Sequence, residues 1–267
     1  MTRLIRREVE RPWGRETLPA PFDARGRRIG EIWFEPAERL DDPPALLIKY
    51  IFTSDKLSVQ VHPDDAQARA RGLANGKSEC WFILDAETNA ALGLGLREEV
   101  DSVRLRRAAE DGAIVDLLDW MEVRPGDFFF VPAGTVHAIG AGISLVEVQQ
   151  NSDTTYRLYD YGRPRQLHLD DGIAVARSGR NPGRAHVEPE EEIVLLSGPL
   201  FTLIHFPAGD GEIMPLKNRR RWAIPLTGSV SAQGEEAKAG DCLLVEPEAI
   251  LRRGPHTRLL LAASGAY

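Results

Sequence analysis

The segment from Gly126 to His137 constrains the fold of this 267-residue chain more than any other. It reads Gly-Asp-Phe-Phe-Phe-Val-Pro-Ala-Gly-Thr-Val-His, so an apolar run is followed by Pro-Ala-Gly and then by a histidine. The run from Phe128 to Val131 predicts a buried β-strand. Proline presets φ and glycine accepts a positive φ, so the three residues after the run predict a tight turn. The segment therefore predicts that His137 is aimed from the start of the next strand.

Three further potential metal ligands stand upstream, at Gln60, His62 and Glu79. Residues two apart on a strand face the same side, so Gln60 and His62 are expected to point together into the interior. Each histidine taken singly is better explained as a buried residue with a hydrogen-bond partner. Taken with His137, the joint pattern favours one metal centre per chain. Two His, one Glu and one Gln suit Zn²⁺, with Mn²⁺, Co²⁺ or Fe²⁺ as possible substitutes.

Longer motifs surround these residues and carry a family resemblance. They are Leu57-Ser-Val-Gln-Val-His-Pro-Asp-Asp65, Gly76-Lys-Ser-Glu-Cys-Trp81, Phe130-Val-Pro-Ala-Gly-Thr-Val-His-Ala-Ile-Gly140 and Gln149-Gln-Asn-Ser-Asp-Thr-Thr-Tyr-Arg-Leu-Tyr-Asp-Tyr161. In this order they resemble class I mannose-6-phosphate isomerase (phosphomannose isomerase), in its short bacterial form, within the cupin superfamily. The resemblance runs from about Arg11 to Asp170, well over half of the chain.

The resemblance implies an all-β fold, a cupin jelly-roll β-barrel with a small helical insertion and a second, degenerate cupin-like β-domain. It implies a metal, usually zinc, held by Gln60, His62, Glu79 and His137. The implied activity is a metal-dependent aldose–ketose isomerase that interconverts mannose 6-phosphate and fructose 6-phosphate through a cis-enediol(ate). The implied partner is this small sugar phosphate.

Three cationic residues also match the family pattern and are expected to be catalytic: Lys49, Lys77 and Arg157. A sugar phosphate and an enediolate are both anionic, and Arg offers a planar fork to phosphate oxygens whereas Lys offers a compact charge. Lys49 stands in an otherwise apolar strand, where a charge requires a polar cavity or a partner. The general base stays open between Lys49, a water molecule held by the metal and a carboxylate ligand.

One position departs from the family pattern, because Ile139 stands where some longer members carry a tyrosine. Two other functions remain open. A sugar-phosphate-binding cupin without catalytic activity would not need all three cations. An Fe²⁺ cupin oxygenase would favour histidine-rich ligation, against which Gln60 counts.

Strands dominate the rest of the chain, with three exceptions expected to be helical, at residues 64–71, 102–110 and 114–120. Residues 1–185 are predicted to form the metal-binding cupin domain, and residues 186–267 the degenerate one. Within the second, Gly240-Asp-Cys-Leu-Leu-Val-Glu-Pro247 repeats the pattern that begins at Gly126, but no histidine follows at the ligand spacing. His205 and His256 are therefore expected to be structural or exposed.

Composition excludes some classes of protein. The formal net charge of −7 argues against nucleic-acid binding. The short basic run from Arg219 to Arg221 is interpreted as a solvated strand edge. Two cysteines, Cys80 and Cys242, do not suggest a disulfide scaffold. The first residues lack an apolar signal region and no stretch approaches a membrane span, so a cytoplasmic protein without membrane association is expected. The oligomeric state cannot be read from the sequence.

Overall fold

The structure, a computed structural model, describes residues 2–38, 40–180 and 183–267. Short strands make up most of it, as the sequence predicts. The strands of the first part of the chain are β1 (Thr2–Arg15), β2 (Ile29–Pro36), β3 (Leu46–Phe52), β4 (Val59–Val61), β5 (Glu79–Ala86), β6 (Ala91–Leu96), β7 (Leu118–Glu122), β8 (Asp127–Val131), β9 (His137–Ile139), β10 (Ile143–Gln150) and β11 (Tyr156–Tyr159). Those that follow are β12 (Arg184–His186), β13 (Ile193–Ser197), β14 (Phe201–Ile213), β15 (Arg221–Pro225), β16 (Ser229–Ala232), β17 (Glu235–Lys238), β18 (Leu243–Val245) and β19 (Leu251–Ser264).

Two sheets face each other in the first part of the chain. The smaller has the order β11-β4-β9-β6-β7. The larger runs β12-β8-β5-β10-β3-β2-β1 and continues through β18 into β15-β19-β14-β13, with β16 and β17 attached to β19. An apolar core that draws on both sheets fills the space between them, including Trp81 on β5, Leu92 on β6 and Leu145 on β10. This all-β sandwich matches a cupin-like fold, so the predicted fold class is confirmed.

Side chains alternate across the central strands of the larger sheet, so each strand serves two cores. Trp81 and Ile83 of β5 point toward the smaller sheet. Cys80 and Phe82 of the same strand point the other way, into a core shared with the last third of the chain. Cys80 is fully buried there with a free thiol.

The described residues include four helices, α1 (Asp65–Arg69), α2 (Ser102–Asp111), α3 (Ile114–Leu117) and α4 (Leu169–Val175). Three of the four helices, α2 to α4, pack against the outer face of the smaller sheet. Helix α2 has the predicted limits: the Asp101 carboxylate accepts a hydrogen bond from the Arg104 N–H, and Gly112 ends the helix at φ +85°.

The prediction of a helix at residues 114–120 is mostly wrong. Only Ile114–Leu117 is helical, and the chain then becomes strand β7. In that strand Leu118 pairs with Leu96 and Trp120 with Gly93 of β6. Backbone pairing with an existing sheet edge outweighs the weak helical pattern of so short a segment.

The predicted internal echo is visible in the backbone. Gly126 and Gly240 both adopt a positive φ, of +89° and +83°. The aspartate that follows each glycine accepts a hydrogen bond from the backbone N–H three residues earlier: Asp127 from Arg124 and Asp241 from Lys238. The same turn thus starts β8 and leads into β18. The boundary placed between residues 185 and 186 falls inside β12, which pairs with β8, and the division into two domains stays a prediction.

The interpretation of residues 219–221 as a solvated strand edge is wrong for Arg221. Arg221 is the first residue of β15 and is fully buried, and its guanidinium donates to the carbonyls of Ala249 and Ile213. Neighbouring Arg220 pairs with Glu246 and Asp42. Alternation along a strand buries one of two adjacent arginines whatever their charge, and backbone carbonyls stabilise the buried one. Among the described residues, no helix is long and apolar enough to cross a bilayer.

Candidate functional site

The cavity between the two sheets is lined by Gln60 and by the three predicted cationic residues, Lys49, Lys77 and Arg157. It has a volume of about 340 Å³, within the range of small-molecule sites. Charged residues from both sheets line it: Arg11, Glu31, Lys49, Lys77, Glu147, Asp153, Arg157 and Arg165. We call this space the front cavity.

A row of paired residues on the smaller sheet supplies one wall. Gln60 of β4 lies directly opposite His137 of β9 and, on its other side, opposite Arg157 of β11. Directly paired residues point to the same face of a sheet. Their neighbours Val61 and Tyr156 pack in the outer core against the helices, so the row itself faces inward. The sequence prediction that Gln60 faces the interior is consistent with this arrangement.

The larger sheet supplies the opposite wall in the same way. Lys49 of β3 pairs with Glu147 of β10, and Glu147 pairs in turn with Trp81 of β5. The Lys49 Nζ lies 3.3 Å from the Glu147 carboxylate and 4.2 Å from the centroid of the Trp33 ring. Trp81 donates its indole N–H to the other Glu147 oxygen at 3.0 Å. Lys49 thus has the partner that a charge in an apolar strand requires.

The other three predicted metal ligands converge behind Gln60 and Lys77, which line the cavity; we call this side its inner end. Ligand atoms of His62, Glu79 and His137 all lie within 4.8 Å of one another, and all three residues are buried. The Nε2 atoms of His62 and His137 approach the two Glu79 oxygens at 3.5 and 3.4 Å. The Glu79 Oε1 atom accepts no hydrogen bond from any described residue, although it is buried.

Backbone carbonyls hold both imidazoles in the same tautomer. His62 Nδ1 lies 2.9 Å from the carbonyl of Thr154, and His137 Nδ1 lies 2.8 Å from that of Thr135. A carbonyl only accepts, so each Nδ1 carries the proton and each Nε2 presents a lone pair to Glu79. Burial lowers the pKa of His62 well below its usual value and that of His137 to about 4, so both rings are neutral at pH 7. A neutral imidazole fixed through Nδ1 is the form that binds a metal.

The Pro-Ala-Gly turn positions His137, as the sequence predicts. The Thr135 N–H donates to the Pro132 carbonyl at 3.1 Å, which closes a β-turn with Gly134 at φ +89°. The Gly134 N–H donates to the His62 carbonyl at 2.8 Å. One turn therefore ties the two histidines together and supplies the carbonyl that orients His137.

Gln60 stands next to this cluster. Its Nε2 lies 3.2 Å from His137 Nε2, and its Oε1 accepts from the Ser58 hydroxyl at 3.2 Å. The oxygen and nitrogen of an amide are assigned from such hydrogen bonds. A half-turn of the amide would bring Oε1 toward His137, in the position of a fourth ligand.

Lys77 lies among the same atoms. Its ammonium donates to Glu79 Oε2 and lies 3.1 Å from His62 Nε2. Burial alone would lower the pKa of Lys77, but Glu147 and Glu79 outweigh burial and raise it. Burial, reinforced by Glu147, raises the pKa of Glu79 to about 7. A divalent ion among these ligands would favour the charged carboxylate, so the donor set and its electrostatics fit a metal.

The outer end of the front cavity is cationic. Arg157 donates to the carbonyl of Gln166 at 2.7 Å, and its buried Nε has no hydrogen-bond partner among the described residues. Burial and the neighbouring Arg165 lower its pKa. Arg165 forms two hydrogen bonds with Asp160, at 2.6 and 2.7 Å, and Arg11 forms two with Glu31, both at 3.1 Å. Arginines held in this way present a rigid positive surface to an anion.

The sequence interpretation missed Glu147. The same sequence feature that drew attention to Lys49, a charged residue within an apolar strand, also marks Glu147. The strand reads Ile143-Ser-Leu-Val-Glu-Val148. Burial would raise the pKa of Glu147, but Lys77 and Lys49 outweigh burial and lower it, so the group is a carboxylate. Arg11 and Arg165 were also missed, since nothing distinguishes them from solvated arginines until the sheets bring them to one cavity.

The sandwich and its buried His-Glu-His cluster define a cupin-like protein with a site able to hold a metal. Over its matched segment the chain is homologous to mannose-6-phosphate isomerases. It is 43% identical over 171 residues to mannose-6-phosphate isomerase ManA of Bacillus subtilis. This match covers 61% of this chain and 54% of that protein. It is 42% identical over 168 residues to the mannose-6-phosphate isomerase of Streptococcus mutans. This match covers 59% of this chain and 53% of that protein. The matched segment therefore spans about half the length of these curated relatives.

Solved structures share the fold along the whole chain. The crystal structure of the mannose 6-phosphate isomerase from Bacillus subtilis superimposes with a TM-score of 0.76, covering 98% of each chain at 24% identity. No family model matches the sequence.

Proposed function

We propose that the protein is a mannose-6-phosphate isomerase that interconverts mannose 6-phosphate and fructose 6-phosphate through a cis-enediolate. The observation that carries the proposal is the composition of the front cavity. Its inner end has a donor set for a divalent ion, its outer end is cationic, and the Lys49–Glu147 ion pair lies in its wall. The relatives that match more than half of this chain bear the name of the same activity.

We assign one Zn²⁺ per chain to His62, Glu79, His137 and Gln60, with Mn²⁺, Co²⁺ or Fe²⁺ as substitutes. Three of the donors are buried, and two of these are neutral imidazoles whose Nε2 atoms carry no proton. The fourth is the Gln60 amide, 3.2 Å from His137 Nε2. When bound, such an ion supplies Lewis-acid polarisation of the substrate carbonyl and stabilises negative charge on its oxygens.

The cationic residues divide between binding and chemistry in this proposal. Arg157, with Arg11 and Arg165 beside it, faces the anionic substrate and stabilises the charge that grows as the enediolate forms. Lys77, held against Glu79, places a positive charge at the inner end. Lys49 holds the carboxylate of Glu147 through their ion pair.

Glu147 adds a candidate base to those that the sequence left open. It lines the front cavity and is charged at neutral pH, because Lys77 and Lys49 lower its pKa. We propose that it takes the proton from C2 of the aldose and returns it to C1, with Lys49 stabilising the carboxylate, while the proton of the O2 hydroxyl passes to O1. In this assignment the four ligand residues bind the metal and do not transfer the proton.

A coupled assay tests the activity. Fructose 6-phosphate formed from mannose 6-phosphate is converted to glucose 6-phosphate and detected as NADPH through glucose-6-phosphate dehydrogenase. We expect turnover that disappears after chelation and returns with stoichiometric Zn²⁺. Binding of mannose 6-phosphate by calorimetry without turnover in zinc-loaded protein would instead favour a sugar-phosphate-binding protein that lacks catalysis.

A further inference from the structure

A second cavity lies on the opposite face of the strands that carry the front cavity. It has a volume of about 440 Å³, larger than the front cavity. Tyr50 and Phe52 of β3, Phe82 of β5 and Ser144 of β10 line it. These residues alternate with Lys49, Ile51, Trp81 and Leu145, whose side chains point to the other side of the sheet. We call this space the rear cavity.

The last third of the chain closes the rear cavity. Leu226 and Arg258 form part of the wall that faces the aromatic residues, and Phe22 borders it from the segment that follows β1. Phe22 contacts Tyr50 and Phe52, with ring centroids 4.8 and 5.1 Å apart. A space enclosed by four aromatic rings and aliphatic side chains favours a flat apolar group.

Two buried hydroxyls in this lining lack hydrogen-bond partners among the described residues. Ser144 Oγ belongs to a fully buried residue and has no partner. Tyr50 is 2% exposed, and its hydroxyl is approached by the backbone N–H of Gly240 without the geometry of a hydrogen bond. Buried polar groups are normally paired, so these two hydroxyls leave hydrogen-bonding capacity beside the cavity that the described residues do not fill.

Arg258 supplies a positive charge to the same cavity. Its Nη2 lies 3.3 Å from His205 Nε2, and its buried Nε has no hydrogen-bond partner among the described residues. No described acidic group lies at ion-pair distance, although the negative charge of Glu190 acts on Arg258 from farther away. The acidic groups of the lining, Asp85 and Glu188, are exposed, and Glu188 lies 3.4 Å from His186. Arg258 is thus a half-buried charge in the wall whose Nε is left without a hydrogen bond.

We propose that the rear cavity is a binding site for a small molecule that has an aromatic or alicyclic body and one anionic group. The body packs against Phe22, Phe52 and Phe82. Arg258 receives the carboxylate or sulfonate, and Ser144 and Tyr50 bind a second polar atom. This site is separate from the proposed isomerase centre, since the sheet formed by β3, β5 and β10 lies between them, and it does not depend on that activity.

Calorimetric titration with 2-naphthoate tests the proposal, with neutral 2-naphthalenemethanol as the partner probe. For a ligand of this size we expect a Kd for the naphthoate of roughly 0.1–1 mM. Arg258→Gln should weaken naphthoate binding about 10-fold or more while changing the binding of the alcohol little, because a charge-assisted contact is lost. Arg253→Gln is the matched control: Arg253 is on the same strand, is equally half-buried with an unpaired Nε, and lies outside the rear cavity.

A steric variant gives an independent readout. Leu226→Trp adds bulk at the edge of the cavity, where the side chain is only partly buried, and should abolish binding of both probes while the protein remains folded by circular dichroism. Arg157→Gln, in the front cavity, should leave naphthoate binding unchanged. The proposal is overturned if naphthoate does not bind, if mannose 6-phosphate displaces it, or if Arg253→Gln or Arg157→Gln weakens it as much as Arg258→Gln.

Discussion

At the scale of single residues, the candidate metal centre depends on which ring nitrogen of each histidine carries no proton and can bind a metal. The carbonyls of Thr154 and Thr135 hold the Nδ1 protons of His62 and His137, so both Nε2 lone pairs converge on Glu79. The carboxylate contributes the only negative charge in the proposed ligand set, since the other three donors are neutral. Removing the charge of Glu79 should therefore weaken metal affinity strongly, even in a variant that keeps the shape of the side chain.

Glu79→Gln should lower metal content and turnover together. The variant keeps the volume of the side chain but removes the charge that offsets a divalent ion, and loss of a ligand charge weakens binding steeply. We expect less than about a tenth of the wild-type zinc after dialysis, measured by elemental analysis on folded protein. Full zinc content and unchanged turnover would show that Glu79 is not a ligand.

Arg157→Lys should lower turnover about 10- to 100-fold while zinc stays bound. The substitution keeps the positive charge but loses the planar fork, and an interaction made mainly in the transition state affects turnover and catalytic efficiency together. Steady-state kinetics on zinc-loaded protein make the measurement, with exposed Arg104→Lys on α2 as the control. A rise in the Michaelis constant alone would assign Arg157 to phosphate binding instead.

At the scale of elements, the pairing register of the strands assembles the front cavity. Lys49 and Glu147 are nearly a hundred positions apart in the chain and meet because β3 and β10 pair with these residues directly opposite. A shift of one residue in either strand would turn its charged side chain into the opposite core and separate it from its partner. The strands therefore fix which charges share the cavity.

Glu147→Gln should lower turnover at least about 100-fold with normal zinc content, because the proposed base is removed and the ligand residues are untouched. The coupled assay and elemental analysis on the same preparation make the measurement. Glu87→Gln is the control, since Glu87 is an exposed carboxylate paired with Arg15 outside the front cavity. Near-normal turnover in Glu147→Gln would return the role of base to Lys49 or to another group.

At the scale of the whole molecule, one core joins the first part of the chain to the last third. Phe82 of β5 stacks on His205 of β14, with ring centroids 5.7 Å apart and planes 17° apart. His205 is fully buried, and its Nδ1 lies 2.7 Å from the carbonyl of Glu191. The sequence prediction of a structural histidine is consistent with this position, which lies on the far side of the sheet from the metal ligands.

His205→Ala should therefore reduce stability while leaving metal content nearly unchanged. Loss of a buried ring and its hydrogen bond is expected to cost roughly 2–4 kcal/mol of the free energy of unfolding, measured by urea denaturation. The exposed His256→Ala should change neither quantity. Loss of stoichiometric zinc from folded His205→Ala would contradict the assignment of the metal to the first part of the chain.

Local physics determined much of this protein from the sequence alone. The Pro-Ala-Gly turn, the capped helix from Ser102 to Asp111 and the inward alternation of Gln60 depend on contacts within a few residues, where propensity and period are decisive. The family motifs supplied the ligand and cationic residues, because those motifs preserve local geometry around chemical groups.

Other features required tertiary structure, since they depend on pairing between distant strands. Glu147 gained its role from register with Lys49 and Trp81, and Leu118–Glu122 became a strand because β6 offered an edge. Arg221 is buried because its side chain points into a core, although a run of three arginines in the sequence indicates a solvent-exposed segment. Burial and electrostatics belong to the assembled sheets, and no window of sequence contains the partners that set them.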